Sequence, residues 1–526
     1  MTKSVTRGWR TLTAKTPKSR KKSPPFFLGS DIGTSSTKTA IYDLDGHALA
    51  SATVEYPISY PKPLWAEGDP EDWWRAVRTT IREVLRSSRV DSTDIQGVSI
   101  SGLAPECVPV DKEWKPLRPA ILWMDRRSSS ECDWIVQNIG PETIHRICGN
   151  TVDSYFGGPK WLWFKRNEPE LYEKTWKILQ AHSYPVLKMT GEAVTDYSYG
   201  GLCSPNFDLR RREWSEEICG EMGISIDKLP SIHPSHQVIG EVTSSAAAET
   251  GLARGTQVVT GGGDFACSTL GAGVINPGEA CQMVGTAGNL LIPTGENLKL
   301  DTRLVNTVHV TGAYLTFGSL LAGGILRWFR DEIGVPPDLI DSSKSLYAVL
   351  DGQADRIPPG SGGLVVLPYF MGARTANWDP YARGVFFGVT PYHTRSHLYR
   401  ALLEGIAYAF RHVMEIAEEV GGHVREIVSV NGGGKSKVWR QIFADVLGVP
   451  ILYLAQSGGA PMGDAILAAV GTKNLKDFSA IKGWLEVTET NEPNKEATQK
   501  YLQYYSIYRD LYEHLKGDYR RLKEIT

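Results

Sequence analysis

The sequence predicts an α/β protein made of two similar domains that flank a central cleft. Apolar runs of strand length alternate with segments of helical periodicity from residue 26 onward. The 526 residues are more than one domain usually occupies. A pattern of apolar strand, glycine turn and second apolar strand occurs twice, roughly half a chain apart. Internal repetition of this kind indicates a duplicated domain.

The first copy of the pattern spans residues 26–43. It predicts a strand, a tight turn of glycine and small hydroxyl residues, and a second strand that begins near Lys38. Such a turn directs several N–H and hydroxyl groups to one point, which suits a phosphate group. Asp31 ends the first strand, and a carboxylate beside a bound phosphate is what a hydrated Mg²⁺ needs. An ordinary hairpin is the alternative interpretation. The phosphate-binding residues predicted here are Thr34, Ser35, Ser36 and Lys38.

The second copy spans residues 278–292, and its turn at Gly285 and Thr286 matches the turn of the first copy. We therefore expect each domain to offer a phosphate turn, with Gly285 and Thr286 as the second one. The counterpart of Asp31 in this copy is Met283. The metal-side carboxylate is thus predicted in the first half alone.

Composition excludes several classes of function. The formal net charge of -2 argues against nucleic acid as the main partner. No uninterrupted apolar run approaches the about 18 residues that a membrane span needs. The seven cysteines include no C-x-x-C pair, so a reducing cytoplasm fits best. For the assembly, a homodimer is one option that the sequence leaves open.

Residues 1–25 contain eight basic residues and no acidic one, and they end in two prolines. We predict a disordered basic tail. No apolar segment of the kind found in secretory signals follows. An organellar transit segment and a misplaced start codon are the alternatives.

Polar residues follow several predicted strands of the first half. Glu106 lies in the loop after the strand at 95–100, and Asp125 follows the apolar run at 121–124. Asp264 follows the strand at 258–260 and three glycines, in a loop or the first turn of a helix. Side chains at strand ends of open α/β sheets often face the ligand crevice. A helix N-cap is the alternative role for Asp264.

The second half alternates in the same way. We predict a strand at 364–370, a long helix through 402–420, and a strand at 426–430 that leads into the glycine-rich turn 431–436 and a helix. The tail tyrosines between 501 and 512 read as packing surface. A P-loop would need glycine at position 429, which is Ser429. We therefore favour a turn that lies against the adenosine of a nucleotide.

Residues 363–384 and 400–405, together with 31–34 and 432–436, resemble the FGGY carbohydrate kinases, members of the actin/hexokinase/Hsp70 ATPase fold. The resemblance covers nearly everything from 26 to about 515. It implies two RNase-H-like domains, 26–275 and 276–526, around a cleft. It also implies MgATP as the phosphate donor and transfer of the phosphoryl group to a sugar or polyol hydroxyl.

The resemblance also implies roles for single residues. The Asp that ends the glycine-rich loop, here Asp264, would be the general base. A sugar hydroxyl is a poor nucleophile, and a carboxylate within hydrogen-bond reach can take its proton. Asp31 would hold Mg²⁺ through water. The adenosine would be lined by Gly432, Gly433, Gly434 and Ser436.

The resemblance implies a small sugar or polyol as the substrate, and different residues of the sequence favour different substrates. The stretch 261–273 around Asp264 is xylulokinase-like, but Glu106 falls where glycerol kinases bind substrate. Phe265 replaces the Gln of glycerol kinases. We predict a ketopentose such as D-xylulose, with a glycerol or short-polyol kinase, an ATPase or a sugar sensor as alternatives. The predicted substrate residues are Glu106, Trp123, Asp125, Tyr155 and Asp264, with core packing as the other interpretation of the two aromatic ones.

Overall fold

The structure is a computed structural model that describes residues 25–295, 299–334, 345–430, 432–454 and 457–525. Residues 1–24 of the predicted tail, and Asn431 of the glycine-rich turn, lie outside the described residues. Among the described helices, none combines the length and the apolar composition that a membrane span requires.

The first half contains many short strands and ten helices within the described ranges. Its strands are β1 (Phe26–Ile32), β2 (Ser36–Tyr42), β3 (Ala48–Glu55), β4 (Glu67–Gly68), β5 (Ile95–Gly102), β6 (Val108–Val110), β7 (Ala120–Ile121), β8 (Lys177–Leu179), β9 (Val194–Asp196), β10 (Phe207–Asp208), β11 (Glu213–Trp214), β12 (Ser231–His233), β13 (Val238–Glu241), β14 (Gln257–Val259) and β15 (Gly262–Gly263). Its helices are α1 (Pro70–Ser88), α2 (Ser129–Ile139), α3 (Pro141–Cys148), α4 (Gly157–Asn167), α5 (Pro169–Lys174), α6 (Ser183–Thr190), α7 (Tyr197–Leu202), α8 (Glu216–Met222), α9 (Ser244–Thr250) and α10 (Asp264–Gly271).

The second half has fewer and longer elements in the part that the structure describes. Its strands are β16 (Gly278–Val284), β17 (Ala287–Thr294), β18 (Val305–Val308), β19 (Tyr314–Leu321), β20 (Val365–Leu367), β21 (Val385–Phe387), β22 (Val424–Val430), β23 (Ile451–Tyr453) and β24 (Glu489–Asn491). Its helices are α11 (Gly323–Glu332), α12 (Leu346–Ala354), α13 (Arg395–Glu419), α14 (Lys437–Leu447), α15 (Ala460–Gly471), α16 (Ile481–Trp484) and α17 (Lys495–Ile525).

Two sheets with the same strand order form the frame of the molecule. The first has the order β13-β14-β5-β1-β2-β3, and the second contains β24-β23-β22-β16-β17-β19, with β18 added at its end. Each sheet contains an antiparallel hairpin, β1–β2 or β16–β17. The first strand of the hairpin also pairs in parallel with a later strand, β1 with β5 and β16 with β22. The predicted duplication is therefore confirmed at the level of topology, because the pairing and its direction match strand by strand.

Local sequence accounts for the elements that border the cleft. β1 is buried on both faces, as expected of a central strand that pairs on both sides. Helix α1 begins after Asp69, whose side chain accepts a hydrogen bond from the Glu71 N–H at 2.9 Å, and Pro70 occupies its first turn. Helix α14 begins in the same way, since Ser436 Oγ accepts from the Trp439 N–H at 3.1 Å. The second strand of the first hairpin begins at Ser36, slightly before the predicted start.

One apolar run and one predicted strand contribute only short strands, and these lie outside the main sheets. The apolar run at 121–124 contributes only the end of β7, which pairs with β4. The run at 364–370 contributes β20, which pairs with β21. Both runs lie largely in loops, so the strand predicted at 364–370 is shorter than its apolar character suggested.

Helix α15 belongs to the second half in sequence but packs on the first sheet. It contacts β1, β5 and helix α10. The approach is close because a Cβ at Gly29 of β1 would lie 1.9 Å from the Pro461 carbonyl oxygen. The division at residue 275 that the sequence suggested thus does not separate every packing contact of the two halves.

The tail helix α17 packs on the second half, as predicted for its tyrosines. Tyr501, Tyr505 and Tyr508 are buried in the same core as the long helix α13. The Tyr508 hydroxyl also lies 2.6 Å from that of Tyr369, which follows β20. The tyrosines therefore form a packing surface.

Candidate active site

Asp31 lies near the end of β1, at the edge of the first sheet from which the turn 33–35 extends. It faces Lys38 across the hairpin and Ser101 on the parallel strand β5. Ser101 Oγ lies 3.4 Å from Asp31 Oδ1. Burial raises the pKa of Asp31 to about 6, against the Ser101 hydrogen bond and the charge of Lys38, which lower it.

Asp264 is the first residue of helix α10. The two residues before it, Gly262 and Gly263, pair with Ser101 and Gly102 on β5, so Asp264 emerges beside Asp31 at the same edge of the sheet. Its Oδ1 accepts a hydrogen bond from the Phe265 N–H at 2.6 Å. The prediction that Asp264 projects from a loop or a first helical turn is therefore confirmed for its position in the fold.

The two carboxylates repel each other. Burial, and then repulsion from Asp31, raise the pKa of Asp264 to about 8, while the Phe265 N–H lowers it. A divalent cation that prefers oxygen ligands would stabilise the ionised form of two buried carboxylates of like charge. The carboxylate and hydroxyl oxygens present around Asp31 fit Mg²⁺ on this criterion.

The three glycines before Asp264 serve the packing of the protein itself. A Cβ at Gly261, whose φ is +78°, would lie 1.9 Å from the Ile100 carbonyl oxygen. A Cβ at Gly262 would lie 2.7 Å from a methyl carbon of Val310. Any larger residue would push this loop away from β5 and would displace Asp264. The contacts that require glycine at these two positions are thus with protein atoms.

Glu106 is fully buried near Asp264. Its Oε2 lies 3.4 Å from the Ala181 N–H, and its Oε1 has no hydrogen-bond partner among the described residues. Burial, and then repulsion from Asp264, raise the pKa of Glu106 well above its usual range. A buried carboxyl oxygen without a partner is costly, and a ligand hydroxyl would satisfy it.

Trp123 and Tyr155 stand side by side, with ring centroids 6.4 Å apart at an angle of 76°. The indole Nε1 of Trp123 donates to Thr34 Oγ1 at 3.2 Å, which ties this wall to the first phosphate turn. Both rings are half-buried. The guanidinium carbon of Arg374, from the second half, lies 5.4 Å from each ring centroid.

Asp125 has a different environment from the one that the sequence suggested. It is fully buried, and its oxygens accept hydrogen bonds from the Arg127 backbone and side chain and from the Ala66 N–H at 2.6 Å. Arg127 also pairs with Glu67 at 2.9 Å. Because both oxygens are occupied by protein donors, Asp125 holds the loop after β7 together and is not presented to a ligand.

The second phosphate turn opens onto a cavity of about 500 Å³ in the second half. This cavity brings Gly285 and Thr286 together with the glycine-rich turn after β22, at Gly432, Gly433 and Ser436. Predicted nucleotide residues from distant parts of the sequence thus meet in one place, and the size and polar edge of the cavity fit a nucleoside with its phosphates. Thr34, Ser35, Ser36 and Lys38 lie on the first hairpin instead and do not line this cavity.

Gly434 differs from its neighbours in that turn. It is buried, its carbonyl accepts a hydrogen bond from Arg440, and a Cβ there would lie 3.0 Å from Ser429 Oγ. Gly434 therefore packs against protein atoms behind the turn and does not line the cavity.

Sequence inspection missed several residues of the cavity. The segment from Gly323 to Arg327 in helix α11 and the residues around Tyr347 in helix α12 contribute to it. A Cβ at Gly323 would lie 2.3 Å from the Gly285 carbonyl oxygen, so glycine is required where α11 meets the turn. The Gly323-Gly324 pair, which follows β19, was the one signal in the sequence.

Helix α15 brings a further carboxylate under the site. Asp464 is fully buried and accepts hydrogen bonds from Ser99 Oγ at 2.9 Å and Ser101 Oγ at 2.7 Å. Helices α10 and α15 cross in close contact, since a Cβ at Gly463 would lie 1.9 Å from the Cys267 carbonyl oxygen. The helix that carries Asp264 is thus packed directly against one from the second half.

Comparison with known proteins gives matches along most of the chain. The N-terminal domain of the FGGY family of carbohydrate kinases matches residues 26–271, and the C-terminal domain of that family matches 280–472. The xylulose kinase of Bacillus subtilis (strain 168) is 33% identical over 497 residues, covering 93% of this chain and 97% of that protein. The gluconokinase of the same strain is 27% identical over 506 residues, covering 95% and 98% of the two chains.

The structure of a xylulose kinase from Rhodospirillum rubrum is similar to this one with a TM-score of 0.87 and 31% sequence identity. The similarity covers 94% of this chain and 100% of that one. The predicted fold class, two α/β domains of the actin/hexokinase type, is confirmed by this match.

Proposed function

Since this chain belongs to the FGGY family of carbohydrate kinases, we propose that it phosphorylates a ketopentose, D-xylulose, with Asp264 as the general base. Membership of the family makes the protein a carbohydrate kinase that uses ATP as phosphate donor and a small sugar as acceptor. The choice of D-xylulose is supported by the similarity to xylulose kinases over more than nine-tenths of the chain.

One observation carries the proposal: Asp31 and Asp264 emerge at the same edge of the first sheet, from the two strands that flank β5. A base and a metal-side carboxylate must lie together if an alcohol is to attack a metal-bound phosphate. The raised pKa of Asp264 suits a group that takes a proton near neutral pH. Gly263 holds the N-cap position of α10 and Asp264 is the first helical residue, so Asp264 is not the cap, although its Oδ1 accepts the hydrogen bond from the Phe265 N–H.

In the proposed reaction, Asp264 accepts the proton of the attacking sugar hydroxyl while the hydroxyl oxygen bonds to the γ-phosphorus of ATP; the bond from that phosphorus to the bridging oxygen breaks, and ADP leaves with that oxygen. Glu106 would accept a hydrogen bond from another sugar hydroxyl, and the Trp123–Tyr155 wall would orient the sugar. Mg²⁺ held near Asp31 would neutralise charge on the phosphates. The hydroxyl groups and backbone N–H groups of the first hairpin turn would hold the terminal phosphate.

The second half would hold the remainder of the nucleotide. Gly285 and Thr286 would contact phosphate oxygens, and Gly432, Gly433 and Ser436 would lie against the adenosine, as their common cavity supports. We keep the division into a sugar-binding half, 26–275, and a nucleotide-binding half, 276–526, with helix α15 as the exception that crosses between them. The cytoplasm as compartment and a homodimer as assembly stay proposals.

The test is a screen of sugar-dependent ADP release with MgATP. The panel contains D-xylulose and other ketopentoses, a 1-deoxyketose, gluconate, glycerol and polyols of four and five carbons. We expect the highest kcat/KM for D-xylulose. A higher kcat/KM for glycerol would favour the short-polyol alternative, which the position of Glu106 supports. ADP release that does not depend on any sugar would contradict the proposal.

A further inference from the structure

Arg374 reaches from the second half of the chain into the sugar side of the cleft. It lies in the loop that follows β20, and its guanidinium carbon is 5.4 Å from the ring centroids of both Trp123 and Tyr155. Those rings belong to the first half. The side chain is half-buried between the two faces of the cleft, at a place where a bound sugar would also lie.

The guanidinium has no hydrogen bond or ion pair with any residue that the structure describes, and it contacts the two rings instead. Asp153 is the nearby acid, and its two oxygens are already bound by Arg126 at 2.5 and 2.8 Å. A cation held against aromatic rings without a counter-ion keeps its five N–H donors for another group.

Two other nitrogen donors around this wall, the Lys160 ammonium and the Trp123 indole, are already used. Lys160 Nζ donates to three consecutive backbone carbonyls, those of residues 154–156. The Trp123 indole donates to Thr34. Among the described side chains next to the two rings, Arg374 is therefore the charged donor that remains free.

The groups opposite Arg374 are mostly acceptors. Burial raises the pKa of Tyr155; the charge of Arg374 lowers it, and the charges of Asp264 and Glu106 raise it, so all three charged side chains act on this hydroxyl. A sugar hydroxyl can donate to either carboxylate. A keto or carboxylate oxygen can only accept, and it needs a donor of the kind that Arg374 offers.

We propose that Arg374 binds an acceptor-only oxygen of the substrate, the carbonyl of an open-chain ketose or the carboxylate of an aldonate, and so selects these substrates over polyols. The inference rests on the proposed kinase reaction and adds to it a residue that determines specificity. The ketose carbonyl and the aldonate carboxylate share one feature, an oxygen without a proton that lies a few atoms from the hydroxyl that is phosphorylated.

The experiment compares D-xylulose with xylitol and D-arabinitol, the two polyols formed when its carbonyl is reduced, and includes gluconate as the aldonate. Arg374→Met removes the donors and keeps much of the side-chain length. We expect its kcat/KM for D-xylulose to fall by about 10- to 100-fold, the range for a hydrogen bond to a charged group. The values for the polyols and the KM for ATP should stay close to those of the wild type.

Two further variants complete the design. Arg374→Lys keeps one charged donor and should recover part of the preference for the ketose. Arg383→Met removes an exposed arginine of the same loop region, which hydrogen-bonds only to nearby backbone carbonyls in the described structure, and should leave the preference unchanged.

Each outcome separates this inference from the proposed reaction. If Arg374→Met loses ketose and polyol activity equally, or loses neither, the inference is wrong while the kinase proposal stands. If the wild type phosphorylates gluconate but not D-xylulose and Arg374→Met loses that activity, the inference stands and the choice of sugar is wrong. If the wild type prefers the polyols, both are wrong.

Discussion

Asp464 accepts a hydrogen bond from the Ser101 hydroxyl at 2.7 Å, although the two residues come from opposite halves of the chain. Ser101 also lies 3.4 Å from Asp31, the carboxylate beside the first phosphate turn. A helix that follows the nucleotide-binding turn in sequence is thus joined, through one hydroxyl, to the place where we propose the phosphoryl group is transferred. The two halves are linked at the base of the cleft as well as by the covalent connection.

We predict that Asp464→Ala lowers the free energy of unfolding by about 1–3 kcal/mol, since Ser99 and Ser101 lose a buried acceptor. Asp464→Asn, which keeps an acceptor oxygen, should cost less. Urea unfolding measures both, with the exposed Asp510→Ala as the matched control. If Asp464→Ala is as stable as the wild type, the free-energy cost of burying the carboxyl group equals the stabilisation that its hydrogen bonds give.

The crossing of helices α10 and α15 gives a second prediction. In Gly463→Ala the new methyl group would lie 1.9 Å from the Cys267 carbonyl oxygen, so the helices must separate. We expect a loss of about 1–3 kcal/mol of stability, the usual cost of overpacking, and a lower kcat because Asp264 begins α10. Gly517→Ala is the control, since nothing lies within 4 Å of its added methyl group on helix α17. Normal stability and turnover in Gly463→Ala would mean that this contact is loose.

Much of the site could be predicted because its parts are local in sequence. Asp31 and the turn beside it form within one hairpin, and Asp264 follows directly from a strand and a glycine run. The repeat then identified Thr286 without any knowledge of the fold. Patterns of this kind depend on neighbours along the chain, which the sequence displays.

The residues that were missed depend on contacts between distant segments. Asp464 meets Ser101 across more than 360 positions, and Arg374 meets Trp123 across the cleft. Asp125 shows the opposite error, because its place after an apolar run resembled that of Asp264. Only the structure shows that the carboxylate oxygens of Asp125 accept hydrogen bonds from Arg127 and from the Ala66 N–H.

For the general base we predict that Asp264→Asn lowers kcat by about 10²- to 10⁴-fold, the usual range for the loss of such a group. ATP binding should be retained, since Asp264 is not among the residues that line the nucleotide cavity. Steady-state ADP release measures the first and nucleotide titration the second. Near-normal turnover in the folded variant would remove Asp264 from the proposed role.

The pH dependence of the reaction follows from the pKa of Asp264, which burial and the charge of Asp31 raise to about 8. A general base works only when it is deprotonated, so kcat/KM for the sugar should rise with pH and level off above about 8. The same shift makes the folded protein bind a proton that the unfolded chain releases at lower pH. The contribution of Asp264 to stability is therefore greatest at low pH and is lost as the pH rises through about 8.

Two measurements check this account of the pH dependence. In Asp264→Asn the rising limb of the pH profile should be absent, so that the residual activity no longer rises with pH. The free energy of unfolding of Asp264→Asn, compared with that of the wild type, should also be more favourable to the variant at pH 9 than at pH 5. Added Mg²⁺ should move the wild-type limb to lower pH, because a cation near Asp31 offsets the repulsion that raises the pKa of Asp264. A limb that keeps its position in Asp264→Asn would assign it to another group, and the buried Glu106, whose pKa is also raised, would be the first to test.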